Sequence, residues 1–251
     1  MAGHSKWSNI KHRKERQDKK RGAAWSKCSR AIIAAARNGG GDPDANLTLR
    51  YAIDEAKYAN MPKDTIQRAI EKGAGAADGD NYEEAIYEGY GPGGAAMIVT
   101  ALTDNKTRTV ADVRSLFKKG GGTLGQPGSV AFSFQTKGQF AIEAGKTTED
   151  QLMDVALDAG AEEIEAPEGD DGVWAVQCEP ADFGAVRDAI EAAGIEIASA
   201  EITKVATNTI EVAGDDVRKL MNLIEALEDS DDVQKVYSNA DISDEALAAL
   251  E

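Results

Sequence analysis

Apolar residues recur at helical spacing in the early part of the chain. In the first such stretch, Trp25 and Ile32 lie on one stripe, two turns apart. Glycines and a Met-Pro pair separate the stretches, and Gly73 and Gly75 are predicted to end the last one. The helices are predicted over residues 23–38, 45–60 and 63–72. The pattern predicts a small all-helical domain over residues 1–78.

The periodicity changes after residue 79, where short apolar runs alternate with helical patterns. Strands are predicted over residues 85–90, 95–103, 129–135, 139–144, 162–166, 173–178, 195–202, 208–213 and 233–239. Helices are predicted over residues 107–119, 148–159, 180–193 and 215–227, with a short last helix from Ser243. Residues 138–202 thus follow the order strand, helix, strand, strand, helix, strand, which is typical of a ferredoxin-like fold.

The last part of the chain, residues 203–251, is by itself only half of a helix-on-sheet sandwich. Residues 79–134 supply the other half, because a sheet face must be covered to be stable. We therefore predict an α+β protein of three domains, with two ferredoxin-like α/β domains after the helical one. The third domain, residues 135–202, is predicted to be inserted in the second, which comprises residues 79–134 and 203–251.

Charge is distributed very unevenly along this pattern. The first thirty residues, which we call the arm, contain ten basic and two acidic residues, a net charge of +8. The whole chain has a net charge of −16, so residues 31–251 have −24. A basic arm on an acidic body suggests a polyanionic partner for the arm.

Nucleic acid is the partner that the arm fits best. The residues predicted to bind it are Lys6, Lys11, His12, Arg13, Lys14, Arg16, Lys19, Lys20 and Arg21. A membrane helix would need large apolar residues opposite the charge, and residues 8–24 offer only Ile10. A solvated basic surface without a partner is the other alternative. Trp7 and Trp25 could stack on an unpaired base, although the position of Trp25 in the apolar stripe favours a core role.

Two glycine-rich segments resemble phosphate-binding loops. Residues 89–94 match GxGxxG, but a strand follows them instead of a helix, which favours a hairpin turn. Residues 120–129 lack the Lys-Ser/Thr pair of a P-loop and follow a helix, which favours a helix C-cap and a turn. A backbone nest that binds an RNA phosphate is the alternative for this second segment.

No catalytic, metal or cofactor site is predicted. The histidines, His4 and His12, both lie in the arm without a partner at ligand spacing. Cys28 and Cys178 are expected to be free thiols in a reducing cytosol, with a single disulfide as the alternative. Neither a transmembrane segment nor a secretory signal is expected, and a transit peptide is disfavoured because the arm continues into a helical pattern.

The sequence resembles the YebC/PmpR family, whose mitochondrial relative is a translational activator of cytochrome oxidase. The matching stretches are residues 1–22, which begin MAGHSKWSNIKHRK, residues 36–75, residues 87–134 and the closing strand–helix–strand. The chain departs from the family pattern in NLTLR, where the family usually has an NPRLR-like run, and in WSKC, where it often has FTKL.

The resemblance implies three domains and a cytoplasmic regulator associated with nucleic acid. Family members are described as DNA-binding transcriptional regulators or as ribosome-associated factors that ease stalled elongation, such as at proline runs. We favour a non-enzymatic ribosome-associated factor with ribosomal RNA as the partner of the arm and no membrane role. DNA binding is the first alternative, disfavoured because the arm has no set of base-reading side chains on one face. The second alternative is a protein-interaction scaffold that acts through the acidic domains.

Overall fold

Three helices form the first part of the structure. The computed structural model describes residues 21–75, 82–167 and 172–248. The helices are α1 (Arg21–Gly39), α2 (Leu47–Tyr58) and α3 (Lys63–Gly75). They pack around a cluster that includes Ile32, Leu49 and Ala56, as the apolar stripes predict. The predicted end of the third helix is wrong, because α3 continues through Gly73, which is buried against α1.

One buried asparagine organises the turn between α1 and α2. The Asn46 side chain accepts a hydrogen bond from the Leu49 N–H and so caps the start of α2. Its amide nitrogen donates to the carbonyl oxygens of Ala35 and Gly40, both at 2.8 Å. The same side chain therefore satisfies backbone groups at the end of one helix and the start of the next.

The first sheet is built from both ends of the remaining chain. Its elements are β1 (Glu83–Tyr90), β2 (Ala96–Thr103), α4 (Lys106–Lys119), β3 (Thr123–Leu124), α7 (Asp215–Glu228) and β9 (Val233–Ser238). The strands are antiparallel in the order β3-β1-β2-β9, and Met97 pairs with Ser238. The helices α4 and α7 cover one face, where Phe117 and Leu220 are fully buried.

The second sheet is continuous in sequence. Its elements are β4 (Phe134–Glu143), α5 (Glu149–Asp158), β5 (Ala161–Glu165), β6 (Val173–Cys178), α6 (Phe183–Ala192) and β7 (Ser199–Ala206). The antiparallel order β5-β6-β4-β7 is the ferredoxin-like one, which confirms the prediction made from the order of elements. Two antiparallel sheets with helical faces confirm the α+β class. The domain boundaries at residues 78, 134 and 202 stay a prediction.

Three predicted strands differ from the structure. The strand predicted over residues 129–135 is wrong, because Ala131–Ser133 form a 3-10 turn and β4 begins at Phe134. The strand predicted over residues 195–202 begins four residues later, at Ser199. The strand predicted over residues 208–213 shrinks to β8 (Ile210–Glu211), which pairs in parallel with β10 (Ala240–Asp241) ahead of α8 (Asp244–Ala248).

Residues 73–79 are rich in glycine and alanine, a composition typical of a linker, but they are helical up to Gly75, and the rest lies outside the described residues. Within the described parts of the chain, no helix is both long enough and apolar enough to cross a lipid bilayer.

Candidate nucleic-acid interface

The last ten residues of the arm, residues 21–30, form the start of α1. Eight of the predicted nucleic-acid ligands lie outside the described residues: Lys6, Lys11, His12, Arg13, Lys14, Arg16, Lys19 and Lys20. Arg21 is the first residue of α1, and only its backbone is described. The site residues predicted from the sequence therefore remain predictions, and the structure describes the helix to which they are attached.

Two basic residues at the end of the arm are occupied by the acidic body. The Lys27 ammonium group donates to the carbonyl oxygen of Glu228 at 2.7 Å. The Arg30 guanidinium group donates to the carbonyl oxygen of Asp231 and lies 3.8 Å from the Asp232 carboxylate. These contacts fix α1 to the loop between α7 and β9, so part of the positive charge of the arm is used for attachment.

Trp25 belongs to the core of the helical part. Its indole N–H donates to the carbonyl oxygen of Ala59 at 3.0 Å, and its ring packs against the cluster around Ile32 and Leu49. The core role predicted for Trp25 from its place in the stripe is confirmed. Trp7 lies outside the described residues.

Lys235 in β9 joins three parts of the structure. Its ammonium group lies 2.8 Å from the Glu55 carboxylate on α2 and 2.6 Å from the Glu201 carboxylate on β7. The Lys235 side chain is only 20% exposed. Burial alone would lower the pKa of Lys235, but the Glu201 and Glu55 carboxylates outweigh it and hold the pKa well above its usual range. Lys235 is therefore a charged bridge between the helical part and both sheets.

A second set of contacts attaches α2 to the second sheet. The Arg187 guanidinium group on α6 contacts the Asp54 carboxylate, and both side chains are largely buried. The Tyr51 ring meets the edge of the Phe183 ring at a centroid distance of 5.1 Å. Burial, together with Glu191 and Asp54, raises the pKa of Tyr58 to about 12, so its hydroxyl is neutral at physiological pH. The helix that follows α1 is thus held by aromatic, ionic and apolar contacts.

The first glycine-rich segment is a hairpin turn, as predicted. Residues 92–94 form a 3-10 turn between β1 and β2, and Gly93 has a positive φ of 74°. A strand follows the turn, so there is no helix N-terminus to meet a pyrophosphate. A side chain at Gly91 would collide with Met97 and Leu220, because its Cβ would lie 2.7 and 2.8 Å from their atoms.

The second glycine-rich segment combines a helix C-cap with a carboxylate-binding turn. Its start is the predicted helix C-cap, since the Gly120 N–H donates to the carbonyl oxygen of Leu116 at 2.9 Å. One N–H group near its end and two just after it converge on the carboxylate of Glu88, which is only 8% exposed. The donors are Gly128, Val130 and Ala131, at 2.7, 2.8 and 2.9 Å. These three N–H groups are therefore not available to a phosphate, and an RNA-binding nest in the rest of the segment stays a prediction.

Replacement of Glu88 by Gln is expected to destabilise the loop by about 2 kcal/mol. The amide is uncharged, and its NH2 group would face backbone donors. Hydrogen exchange at Gly128, Val130 and Ala131 should accelerate markedly, whereas Glu84→Gln, at an exposed position on the same strand face, should leave their exchange unchanged. Equal exchange in the two variants would contradict this role of Glu88.

The same carboxylate predicts a pH dependence of the loop. Burial raises the pKa of Glu88, but the three backbone N–H donors and Lys204 outweigh it and lower the pKa below its ordinary value. The stabilisation is therefore fully present above the ordinary pKa of a glutamic acid and is lost as the pH falls through the lowered value. Protection of the three amides should persist through mild acid and disappear only below it.

Both cysteines are held in the thiol form, which is a poorer nucleophile than the thiolate. Burial raises the pKa of the Cys28 and Cys178 thiols to about 11 each, and both are free thiols. Among residues 21–75, 82–167 and 172–248, no three His, Cys, Asp or Glu side chains converge as a metal site would require.

Comparison with known proteins finds two family models that match this chain. Residues 5–76 match the TACO1/YebC protein N-terminal domain, and residues 82–240 match the TACO1/YebC second and third domain. The chain belongs to the TACO1/YebC family. The family resemblance noted in the sequence is thereby confirmed over almost the entire chain.

Relatives within the TACO1/YebC family are similar over their full length. A probable transcriptional regulatory protein of Bordetella avium is 57% identical over 98% of this chain and 100% of its own length. One of the same description from Desulfatibacillum aliphaticivorans is 52% identical over 98% of this chain and 99% of its own. A crystal structure of a conserved hypothetical protein from Aquifex aeolicus aligns with a TM-score of 0.81 at 42% identity, covering 90% of this chain and 93% of that one.

Sequence reasoning missed the residues that connect the parts. Glu88 and Lys235 each place a charge within a predicted strand. A charge at such a position is the local sign of a buried ion pair or of a hydrogen-bonded carboxylate. Their partners could not be named, since Lys235 meets residues from two distant segments of the chain.

Proposed function

We propose that the chain is a non-enzymatic, cytoplasmic regulator of gene expression that binds nucleic acid through its arm. The observation that supports this best is the charge asymmetry, +8 in the first thirty residues against −24 in the rest. Lys and Arg side chains pair with phosphates and release counter-ions, which gives affinity without requiring a base-reading helix.

Attachment of the arm to a fixed helix supports the same proposal. The arm leads into α1, which Lys27 and Arg30 hold against the body. Binding of the arm to a polyanion would therefore place both sheets at a defined position beside it. A regulator that acts by positioning its acidic body needs such a connection.

We favour the translating ribosome as the place of action, with ribosomal RNA as the partner of the arm. A body with a net charge of −24 is repelled by a naked duplex. The ribosome offers RNA phosphates for the arm and basic proteins for the acidic body on one surface. The ribosome thus offers an oppositely charged partner to the basic arm and another to the acidic body.

Transcriptional regulation through DNA is the second candidate. Curated relatives with more than half of their residues identical are named probable transcriptional regulatory proteins. The same arm could bind the phosphates of a duplex, at the cost of repulsion between that duplex and the body.

Sedimentation of the full chain through a sucrose gradient separates the two candidates. We expect the protein of a gentle, low-salt lysate to migrate with the ribosomes and to return to the top of the gradient after RNase treatment or at high salt. Protein that stays at the top at every salt concentration, and is retained on promoter fragments with a preference that survives competitor DNA, would replace the ribosome by DNA as the partner.

A further inference from the structure

After residue 79, three segments stand out as the longest ones that contain no acidic residue. They are residues 89–103, 113–142 and 202–210. The chain as a whole has 44 acids in 251 residues, about one in six. The longest of the three contains thirty residues with four basic side chains: Arg114, Lys118, Lys119 and Lys137.

The fold brings these segments together. Tyr90 pairs with Thr123 in the first sheet, and its hydroxyl donates to the carbonyl oxygen of Ser129 at 3.0 Å. The Thr207 N–H donates to the carbonyl oxygen of Ser133 at 2.9 Å, which joins the third segment to the second. We call the surface formed by these joined segments the acid-free face.

The acid-free face presents aromatic side chains to solvent. Phe132 is 74% exposed, and Tyr90 is 41% exposed. Phe132 lies in the 3-10 turn whose N-terminal N–H groups are held by Glu88, so its backbone position is fixed although its ring is free. A ring that is 74% exposed contributes little to the core, so Phe132 is available for stacking on a partner.

The Glu88 carboxylate beneath this face has its charge balanced within the protein. The Glu88 carboxylate accepts three backbone hydrogen bonds, and Lys204 is close enough to lower its pKa further. Lys204 also lies 3.4 Å from the Thr136 hydroxyl on the neighbouring strand. At the glycine loop and the Phe132 turn, a polyanion therefore meets aromatic rings and lysines, whereas Lys137 near the far end of the longest segment is paired with Glu162 and Glu179.

We propose that the acid-free face is a second nucleic-acid contact, separate from the arm, at which Phe132 stacks on an unpaired base. Lys118 and Lys119, immediately before the glycine loop, pair with the phosphates that flank this base. Stacking on an aromatic ring tolerates every base, and the combination with lysines is the usual chemistry of single-strand binding. The inference rests on the proposed function, because it assumes that the arm brings nucleic acid to the protein.

The test uses the full chain and a labelled, mixed-sequence, single-stranded oligoribonucleotide of about twelve nucleotides, within the range that such sites cover. A photo-crosslinking p-benzoyl-phenylalanine replaces Phe132 in one variant. The matched control has the same group at Met153, which is 40% exposed on α5 among acidic residues. We expect a crosslink to RNA from position 132 that unlabelled competitor abolishes, and none from position 153.

Binding measurements with substituted chains complete the test. Phe132→Ala should weaken binding roughly tenfold, as expected for one lost stack, while Met153→Ala leaves it unchanged. Joint replacement of Lys118 and Lys119 by Ala should reduce the slope of log affinity against log salt by about 1.4. Phe132 is too exposed for its removal to disturb the fold, and circular dichroism checks this.

The outcomes separate this inference from the proposed function. If the full chain binds the oligonucleotide and the position-132 variants behave like their Met153 controls, the acid-free face is not a nucleic-acid contact and the arm alone remains. If position 132 crosslinks to a ribosomal protein and not to RNA, the inference is likewise overturned. If the full chain binds no nucleic acid at any salt concentration, the proposed function fails together with the inference.

Discussion

Alanine at six basic positions of the arm is expected to reduce the affinity for nucleic acid by about a thousandfold at low salt. The positions are Lys11, Arg13, Lys14, Lys19, Lys20 and Arg21. If the six side chains contact about six phosphates, log affinity of the unaltered chain should fall with log salt at a slope of roughly −4 to −5. The substituted chain should show a slope that is shallower by about 4, measured by fluorescence anisotropy with labelled RNA between low and physiological salt.

A matched control removes the same amount of charge from the body. Its six exposed positions are Lys57, Lys63, Arg68, Lys146, Arg218 and Lys219. Alanine at these positions should leave the slope unchanged, because the positive charge of the arm is intact. If the two variants lose affinity equally, net charge and not the arm determines binding. If neither loses affinity, the chain acts without the arm, as a protein-interaction scaffold would.

Replacement of Gly73 by Ala is expected to destabilise the helical part by about 2–3 kcal/mol. Alanine ordinarily stabilises a helix relative to glycine by up to ~1 kcal/mol, so the expected sign is reversed. A Cβ at Gly73 would lie 2.5 Å from the carbonyl oxygen of Ile33 and 2.7 Å from the Cβ of Ala36. The atoms that would have to yield belong to the facing helix α1, so α1 and α3 must separate. Urea unfolding followed by circular dichroism measures the loss, and hydrogen exchange in both helices locates it.

Gly75 provides the comparison on the same helix. A Cβ there would meet nothing within 4 Å. Gly75→Ala should therefore be neutral or slightly stabilising, since only the backbone propensity changes. Stabilisation by both substitutions would mean that α1 and α3 do not pack at Gly73 as described.

The sequence predicted the helices and the apolar strands because their periodicity is local. It failed where a distant residue decides the local structure. A glycine at position 73 predicts the end of a helix, but α3 continues through it. The residue is glycine because α1 approaches too closely for a side chain at this position. Residues 129–135 have the composition of a strand, but the Glu88 carboxylate takes the N–H groups of Val130 and Ala131 that a strand ladder would use.

One part of the candidate interface could be predicted from the sequence and the other could not. The arm could be predicted because net charge is a property of composition and needs no coordinates. The acid-free face could not, because its three segments are spread over more than a hundred residues and become one surface only through the pairing of β1 with β3 and the contact of Thr207 with Ser133. The ion pairs of Lys235 could not be predicted either, since its two carboxylate partners belong to different parts of the fold.

The pairing of β2 with β9 has a consequence for the order in which the protein matures. The ribosome releases β2, which ends at Thr103, long before β9, which begins at Val233. All four strands of the second sheet emerge in the interval, so that sheet can close while the first still has an open, apolar edge. The strand that closes this edge also contains Lys235, the bridge to Glu55 on α2. The contact between Lys235 and α2 therefore forms only when nearly the whole chain has been synthesised. A chain interrupted before β9 would have the basic arm but an incomplete first sheet.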